Sequence, residues 1–408
     1  MSKPPPTMQN GSMPISFARR TAWDLTSSET ARALDEARAA GQAICNLTAS
    51  NPTVAGFEYN EAAIITALSV PAVFDYDPDP RGILQAREAV CAYYGDHSAP
   101  MQPNQLTLTT STSEAYSYLF RLLCNPHDEV LIAQPSYPLF DFLAQICDVR
   151  LNPYPLFYDH GWHIDFAALR QQITPRTRAI AIVHPNNPTG HFTSNAERVQ
   201  LEALCAEHGL ALIVDEVFLD YPLTNEISQS FATGDHPALT FVLSGLSKIC
   251  GLPQMKAAWI AAFGPDREVA TALDRIEVIA DTYLSMNAPI QHAMGPWLAT
   301  RGHIQNQIRS RCRANLETLD TLLSRQRLVT RLRVDAGWYA ILRVPALMDD
   351  EDLAALLIRE HEVAVHPGRF FAFPESGWLV ASLLSPRRCF LRGTESIYRY
   401  FNDLSDLY

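Results

Sequence analysis

The chain has no Cys-x-x-Cys pair, no apolar run near membrane-spanning length, no excess of basic residues, and no internal repeat or low-complexity linker. Each absence removes a class of protein. The eight cysteines, Cys45, Cys91, Cys124, Cys147, Cys205, Cys250, Cys312 and Cys389, are scattered, so neither a zinc site nor a disulfide framework is suggested. Several lie in apolar stretches, where a free thiol packs as a small hydrophobe, and a reducing cytoplasm is the expected compartment. A membrane helix needs about 20 successive apolar residues, and nothing approaches that. Residues 1–20, rich in Pro and Ser, hold no apolar segment of signal-peptide length. The formal charge of -12 argues against a nucleic-acid partner, because affinity for a phosphate backbone comes mainly from Lys and Arg.

What is present is the composition of a compact protein, 47% apolar and 19% charged, and 408 residues are too many for one ordinary core. A helix is expected at 28–40, a short strand at 43–48 and a helix at 83–94, with an irregular, Pro-rich loop between them. Strands are then predicted at 105–109, 129–132, 150–154, 179–183, 211–214 and 240–243, alternating with helices at 113–124, 138–147, 165–172 and 195–208. Continuously apolar strands between helices point to a largely parallel sheet covered on both faces, whose ligands collect at the carboxyl ends of the strands. Helices at 269–280 and 305–326 lead into a tail of strands at 338–342, 363–365 and 378–384 and helices at 352–360 and 393–404. That tail reads as a smaller α+β unit. The expected division is an N-terminal segment 1–60 packing with the small domain, a large domain 61–295 and a small domain 296–408.

The polar motifs fall at strand ends. In Val242-Leu243-Ser244-Gly245-Leu246-Ser247-Lys248-Ile249-Cys250-Gly251-Leu252-Pro253, one lysine sits at a turn with apolar residues on both sides. Desolvation disfavours an ammonium, so such an amine can be free to condense with an aldehyde at neutral pH. A lone loop lysine more commonly carries its head to water. Asp215 ends the run Ala211-Leu212-Ile213-Val214, where a carboxylate is costly unless a cation pairs with it or it caps a helix. Asn186-Asn187-Pro188-Thr189-Gly190 follows another strand and by itself could be only a turn. Thr109-Thr110-Ser111-Thr112-Ser113-Glu114 offers hydroxyls and backbone N–H groups at a helix N-terminus, suited either to a phosphate or to simple capping. Tyr137, in Gln134-Pro135-Ser136-Tyr137-Pro138, places a ring at a further strand end.

Taken in order, these hydroxyls, the ring, Asn-Pro-Thr-Gly, the strand-end Asp and the Ser-Lys pair resemble the class I/II aminotransferases among fold-type-I pyridoxal-phosphate enzymes, from about Leu47 to the C-terminus. The resemblance implies a large domain with a mostly parallel seven-stranded sheet covered by helices, plus a smaller α+β domain. It implies a transfer of an amino group from an amino acid or amine to a 2-oxo acid, with pyridoxal 5'-phosphate as cofactor. Lys248 matches the lysine that links covalently to the cofactor and then moves the proton from the substrate's Cα, and Asp215 the partner of the pyridine nitrogen. Asn187 matches the donor to the ring 3-oxygen and Tyr137 the stacking ring. Thr110, Ser111 and Thr112 fall on the phosphate cup. Tyr76 matches a tyrosine that reaches the phosphate of the other subunit, implying a homodimer with shared sites.

Four positions depart from the family pattern. Lys256 stands where an arginine usually grips the phosphate, and a lysine offers charge without a bidentate contact. Phe218 replaces a tyrosine that donates to the 3-oxygen. Gly245 replaces a serine, with Ser244 or Ser247 as substitutes. Val380 stands where the family carries the arginine that clamps the substrate α-carboxylate. Either another cation takes that carboxylate, with Arg369 and Arg81 as candidates and Ser50 as a neighbouring contact, or the substrate has none there. Arg387 and Arg388 read as surface charges. Trp162, Tyr283, Trp338, Tyr339, Phe370 and Phe371 could line a pocket or simply pack. A lyase, synthase or oxidase on the same scaffold, and a non-catalytic cofactor-binding protein, are the competing expectations.

Overall fold

The computed structural model describes residues 15–225, 229–284, 286–325 and 327–405. Residues 1–14 of the expected N-terminal segment, and Gln326 at the expected end of the long helix, lie outside the described residues. The short strand β1 (Cys45–Asn46) precedes the eight strands of one large sheet: β2 (Leu106–Thr109), β3 (Glu129–Gln134), β4 (Arg150–Tyr158), β5 (Trp162–Ile164), β6 (Thr177–Val183), β7 (Ala211–Asp215), β8 (Thr240–Gly245) and β9 (Ala258–Phe263). Five more follow: β10 (Thr330–Arg331), β11 (Tyr339–Arg343), β12 (Val363–Ala364), β13 (His366–Pro367) and β14 (Trp378–Ser382).

The large sheet runs in the order β2-β9-β8-β7-β6-β3-β4-β5. Strands β4, β3, β6, β7 and β8 pair in parallel, and β9 and β5 run against their neighbours. The mostly parallel α/β sheet expected from the sequence is therefore present, with eight strands rather than seven. The additional one is β5, where Trp162–Ile164 fold back on β4 instead of forming a loop. Strand β9 escapes the alternation because an antiparallel neighbour needs no crossover helix to separate it from β8. The helix Ala288–Thr300 escapes it as well, since Pro296 in its interior reads as a breaker.

Both faces of the sheet are covered, which is why its strands carry no polar alternation. Along β7, Leu212 and Val214 enter one apolar layer, while Ala211 and Ile213 enter the other beneath the helix Thr112–Leu123. Period-two geometry sends Asp215 to the same face as Ile213. Each fully buried Leu, Ile or Phe in these layers contributes about 1.5–3 kcal/mol relative to exposure.

The C-terminal strands form an antiparallel sheet in the order β10-β11-β14-β13, and β1 pairs with β12 in parallel. Backbone hydrogen bonds stitch this region to the strand-end loops of the large sheet. Ala336 N–H donates to the Gly190 carbonyl at 3.1 Å, Gly337 N–H to the Tyr221 carbonyl at 2.9 Å, and Ser136 N–H to the Phe371 carbonyl at 3.0 Å. These contacts hold the segments before β11 and after β13 over the carboxyl ends of β3, β6 and β7, and a cavity of about 340 Å³ lies there.

Candidate active site

Lys248 reaches this cavity because β8 stops abruptly. Gly245 lies so close to β9 that an added Cβ would stand 2.8 Å from the Ala257 carbonyl oxygen and 2.8 Å from the Ala258 Cβ. A serine at 245 has no room, which accounts for one departure from the family pattern. The chain turns at once into the short helix Leu246–Ile249, pinned where Leu246 N–H donates to the Ala257 carbonyl at 2.9 Å and the Tyr221 hydroxyl donates to the Lys248 carbonyl. The Lys248 Nζ then lies 4.7 Å from the centroid of Trp338 and 5.6 Å from that of Phe218. Burial pulls the amine down to about 8, against the attraction of Asp215, which favours the charged form. About a tenth of such an amine is nucleophilic free base at pH 7, far more than for an ordinary lysine.

Asp215 presents the opposite perturbation. Burial pushes its carboxyl up to about 7, although Val217 N–H donates to Oδ1 at 3.1 Å and Lys248 lies near. None of the ion pairs among the described residues includes it. Beside it, Asn186 closes the Asn-Pro-Thr-Gly turn, its Oδ1 accepting from Thr189 Oγ1 at 2.8 Å and its carbonyl from Gly190 N–H at 2.8 Å. Gly190 has φ +68°, and a Cβ there would meet the Ala336 carbonyl oxygen at 2.3 Å, so only glycine fits. The turn leaves Asn187 buried on the cavity wall, its side-chain oxygen unpartnered among the described residues. A buried carboxyl with no ion-pair partner among the described residues and an orphaned amide oxygen on the same wall are costly unless a polar group meets them. The residues present thus fit a flat, hydrogen-bonding group held beside Lys248.

One end of the cavity suits an anion. Ser111 caps the helix Thr112–Leu123 by accepting from Glu114 N–H at 3.1 Å, and Ser111, Thr112 and Ser113 line the space at its positive N-terminus. Ser247 and Lys256 join them. Thr110 does not, because its N–H and Oγ1 both donate to Glu114 Oε2, at 2.6 and 2.9 Å. The cup is therefore shifted by one residue from the sequence expectation, and Ser113 is the hydroxyl that reasoning from the sequence missed. Capping decides the shift. The chain has only three lysines, Lys3, Lys248 and Lys256, so two of the three meet at this site.

The remaining wall comes from Tyr137, Ser50 and the C-terminal sheet, which contributes Tyr339, His366, Phe370 and Phe371. Of the six aromatic candidates, Tyr339, Phe370 and Phe371 line the cavity and Trp338 faces Lys248. Trp162 is a core residue, and Tyr283 lies half-exposed against Tyr118 and Arg121. His366 is a lining residue that reasoning from the sequence missed and that only the fold assigns.

Two expected carboxylate contacts are not brought to the cavity. Arg81 is held by Glu277 at 2.7 Å, with Asp274 at 3.8 Å, and Arg369 is exposed and outside the lining. Arg387 and Arg388 are exposed at the start of the C-terminal helix, as surface charges would be. Tyr76, 84% exposed, lines a separate cleft with Leu284 and Met286 rather than this cavity. Val380 is fully buried in β14.

The architecture and this cavity define a fold-type-I transferase built around a buried lysine. Residues 44–387 match the family described as aminotransferase class I and II. Alanine aminotransferase of Mycobacterium tuberculosis (strain ATCC 25618 / H37Rv) is 31% identical over 352 residues, covering 82% of this chain and 80% of its own. The glutamate-pyruvate aminotransferase AlaA of Escherichia coli (strain K12) is 26% identical over 256 residues, covering 62% and 63%. Among solved structures, alanine aminotransferase from Pyrococcus furiosus superposes with a TM-score of 0.86 at 19% identity, covering 95% of this chain and all of its own, a likeness of fold. The chain belongs to the class I and II aminotransferase family. It is an enzyme of amino-group transfer, which removes the lyase, synthase, oxidase and non-catalytic readings.

Proposed function

We propose that the cavity around Lys248 binds pyridoxal 5'-phosphate and that the enzyme moves an amino group from an amino acid or amine to a 2-oxo acid. One observation carries the reading: a single cavity holds an amine lowered to about 8 and a carboxyl raised to about 7 that lacks an ion-pair partner among the described residues. When bound, the cofactor supplies an electron sink that makes the donor's Cα–H bond acidic. Asp215 would keep the ring nitrogen protonated, and that cation would in turn satisfy the buried carboxyl. Asn187 would meet the ring 3-oxygen, and Tyr137 the ring face. Ser111, Thr112 and Ser113 with Lys256 would hold the phosphate, the first three through backbone and hydroxyl donors and the last by charge alone. Lys248 Nζ would form the covalent link and, once displaced by the donor, take the proton from Cα. Trp338 and Phe218 cover the amine and keep water from it. The alanine and glutamate-pyruvate aminotransferases that the chain resembles support a 2-oxo acid as acceptor.

The proposed working unit is a homodimer in which Tyr76 reaches the phosphate of a second copy. The exposure of Tyr76, Phe74 and Leu284 supports an apolar contact there. Eight free thiols support a reducing cytoplasm, and the proposed division remains 1–60, 61–295 and 296–408. The absorption spectrum of the purified protein, before and after adding single L-amino acids and amines, tests the reading. A visible cofactor band that a donor converts to a near-ultraviolet one, and that never forms in Lys248→Ala, is the expected result. A protein that binds no pyridoxal phosphate sinks it.

A further inference from the structure

Resting on the reading above, we propose that the amino donor of this enzyme is a primary amine without an α-carboxylate, carrying an apolar or aromatic group that the wall around His366 receives. The strand register supplies the first argument. Val380 of β14 lies directly opposite Ile341 on one side and His366 on the other, so all three side chains share one face of the sheet. His366 lines the cavity, and the row behind it is apolar: Val380 is fully buried and Ile341 nearly so. Where the resemblance calls for a guanidinium, this chain has a valine behind an imidazole.

The second argument is the charge inventory. No arginine lines the cavity among the described residues, and its lysines are Lys248 and Lys256, the former at the reactive centre and the latter with the anion-binding hydroxyls. Arg81 is already engaged by Glu277 and Asp274, and Arg369 is exposed.

The third is the chemistry of the wall. His366 stacks on Phe370 with centroids 4.5 Å apart and planes 15° apart, and Phe371 meets Tyr339 edge-on at 5.5 Å. Burial holds the imidazole neutral, down to about 4, with its N–H directed to the Thr48 carbonyl. A neutral imidazole brings no positive charge to this wall. A buried carboxylate on this wall would have no cation to compensate its lost hydration, whereas an apolar group gains by leaving water.

The transfer balances without a further reagent. The donor R–CH2–NH2 loses its C–N bond and is oxidised to R–CHO. The acceptor enters the same cavity in the second half-reaction, so the same wall replaces the 2-oxo acid of the general reading by an aldehyde or ketone without a carboxylate at that place; it is reduced as its own C–N bond forms, and the water consumed in the first half-reaction is released in the second.

The test uses the native holoenzyme and a matched pair, 2-phenylethylamine and L-phenylalanine, which differ only by the α-carboxylate. Discharge of the visible cofactor band is followed in single turnovers, with L-alanine and L-glutamate alongside. The amine should react at least about tenfold faster than any of the three amino acids at equal concentration. An amino acid that equals or outruns it overturns the inference, and loss of that advantage in Arg369→Ala would identify the residue that holds the carboxylate instead. If the band forms but none of the four donors discharges it, this inference falls while the cofactor reading stands; if no band forms, the cofactor reading itself falls, so the two failures are distinguishable. Calorimetry provides a readout independent of turnover. 3-Phenylpropan-1-ol should bind at least about tenfold more tightly than 3-phenylpropionate, and equal affinities overturn the inference.

Discussion

Replacing Asp215 by Asn should make the cofactor-free protein more stable while disabling the enzyme. The buried carboxyl stands at about 7 in the folded chain, against an ordinary value of 3.8. Because the folded state holds on to a proton that the unfolded chain has released, stability falls as pH climbs from 3.8 to about 7 and is level above that. At about 1.4 kcal/mol per pH unit, the loss is roughly 4 kcal/mol above pH 7 and about 1.6 kcal/mol at pH 5. Asn keeps an oxygen for the Val217 N–H and carries no charge, so it should escape this penalty. Lys248 loses its attracting partner in the variant, and the measured gain should therefore be about 2–4 kcal/mol, below the ceiling. Denaturant titrations of the stripped protein at pH 5 and pH 8 would read it: a small advantage for the Asp215→Asn variant at the lower pH, the full one at the higher. Added pyridoxal phosphate should then raise the midpoint of the parent more than that of the variant, and transamination should drop at least about a hundredfold. A variant no more stable than its parent at pH 8, or a difference that ignores pH, would refute the idea that this carboxylate waits for a cation.

Other outcomes follow from the neighbouring residues. Lys256→Arg should tighten cofactor binding by roughly tenfold, since a fork replaces a point charge, and equilibrium dialysis would detect it; weaker binding would mean that the left-handed turn at Lys256 (φ +52°) aims an arginine elsewhere. In Phe218→Tyr the spectral pH midpoint of the lysine–cofactor link should fall, because a new hydroxyl donor favours the unprotonated form; an unmoved midpoint counts against it. Gly245→Ser should cost about 1–3 kcal/mol by forcing β8 and β9 apart, visible as a lower denaturation midpoint. With three lysines in the chain, borohydride reduction of the loaded protein should leave its mark on the Lys248 peptide, and a mark on Lys3 or Lys256 would contradict the assignment.

The sequence was sufficient wherever a signal was local. Apolar strands alternating with helices dictate the parallel sheet, because only a sheet buried on both faces tolerates strands such as Ala179-Ile180-Ala181-Ile182-Val183. Lys248, Asp215, Asn187 and Tyr137 were legible for the same reason, each standing at the carboxyl end of a strand where such a sheet collects its ligand groups. What depends on contacts distant in sequence was not legible. Strand β9 and the helix Ala288–Thr300 needed partners that local spacing does not reveal. Thr110 is the local exception: its bonds to Glu114, only four residues on, keep it out of the hydroxyl cup that Ser113 joins, and the sequence left capping and phosphate binding open for that stretch. Arg81 and Arg369 looked available as charges, but an arginine's reach is decided by what holds it and where its loop lies, and carboxylates on the helix Asp266–Tyr283 claim the first. Most of all, the sequence could mark Val380 as a missing cation but not say what stands in its place. That answer required the pairing of β13 with β14, which puts His366 across from Val380 although 14 residues separate them in the chain.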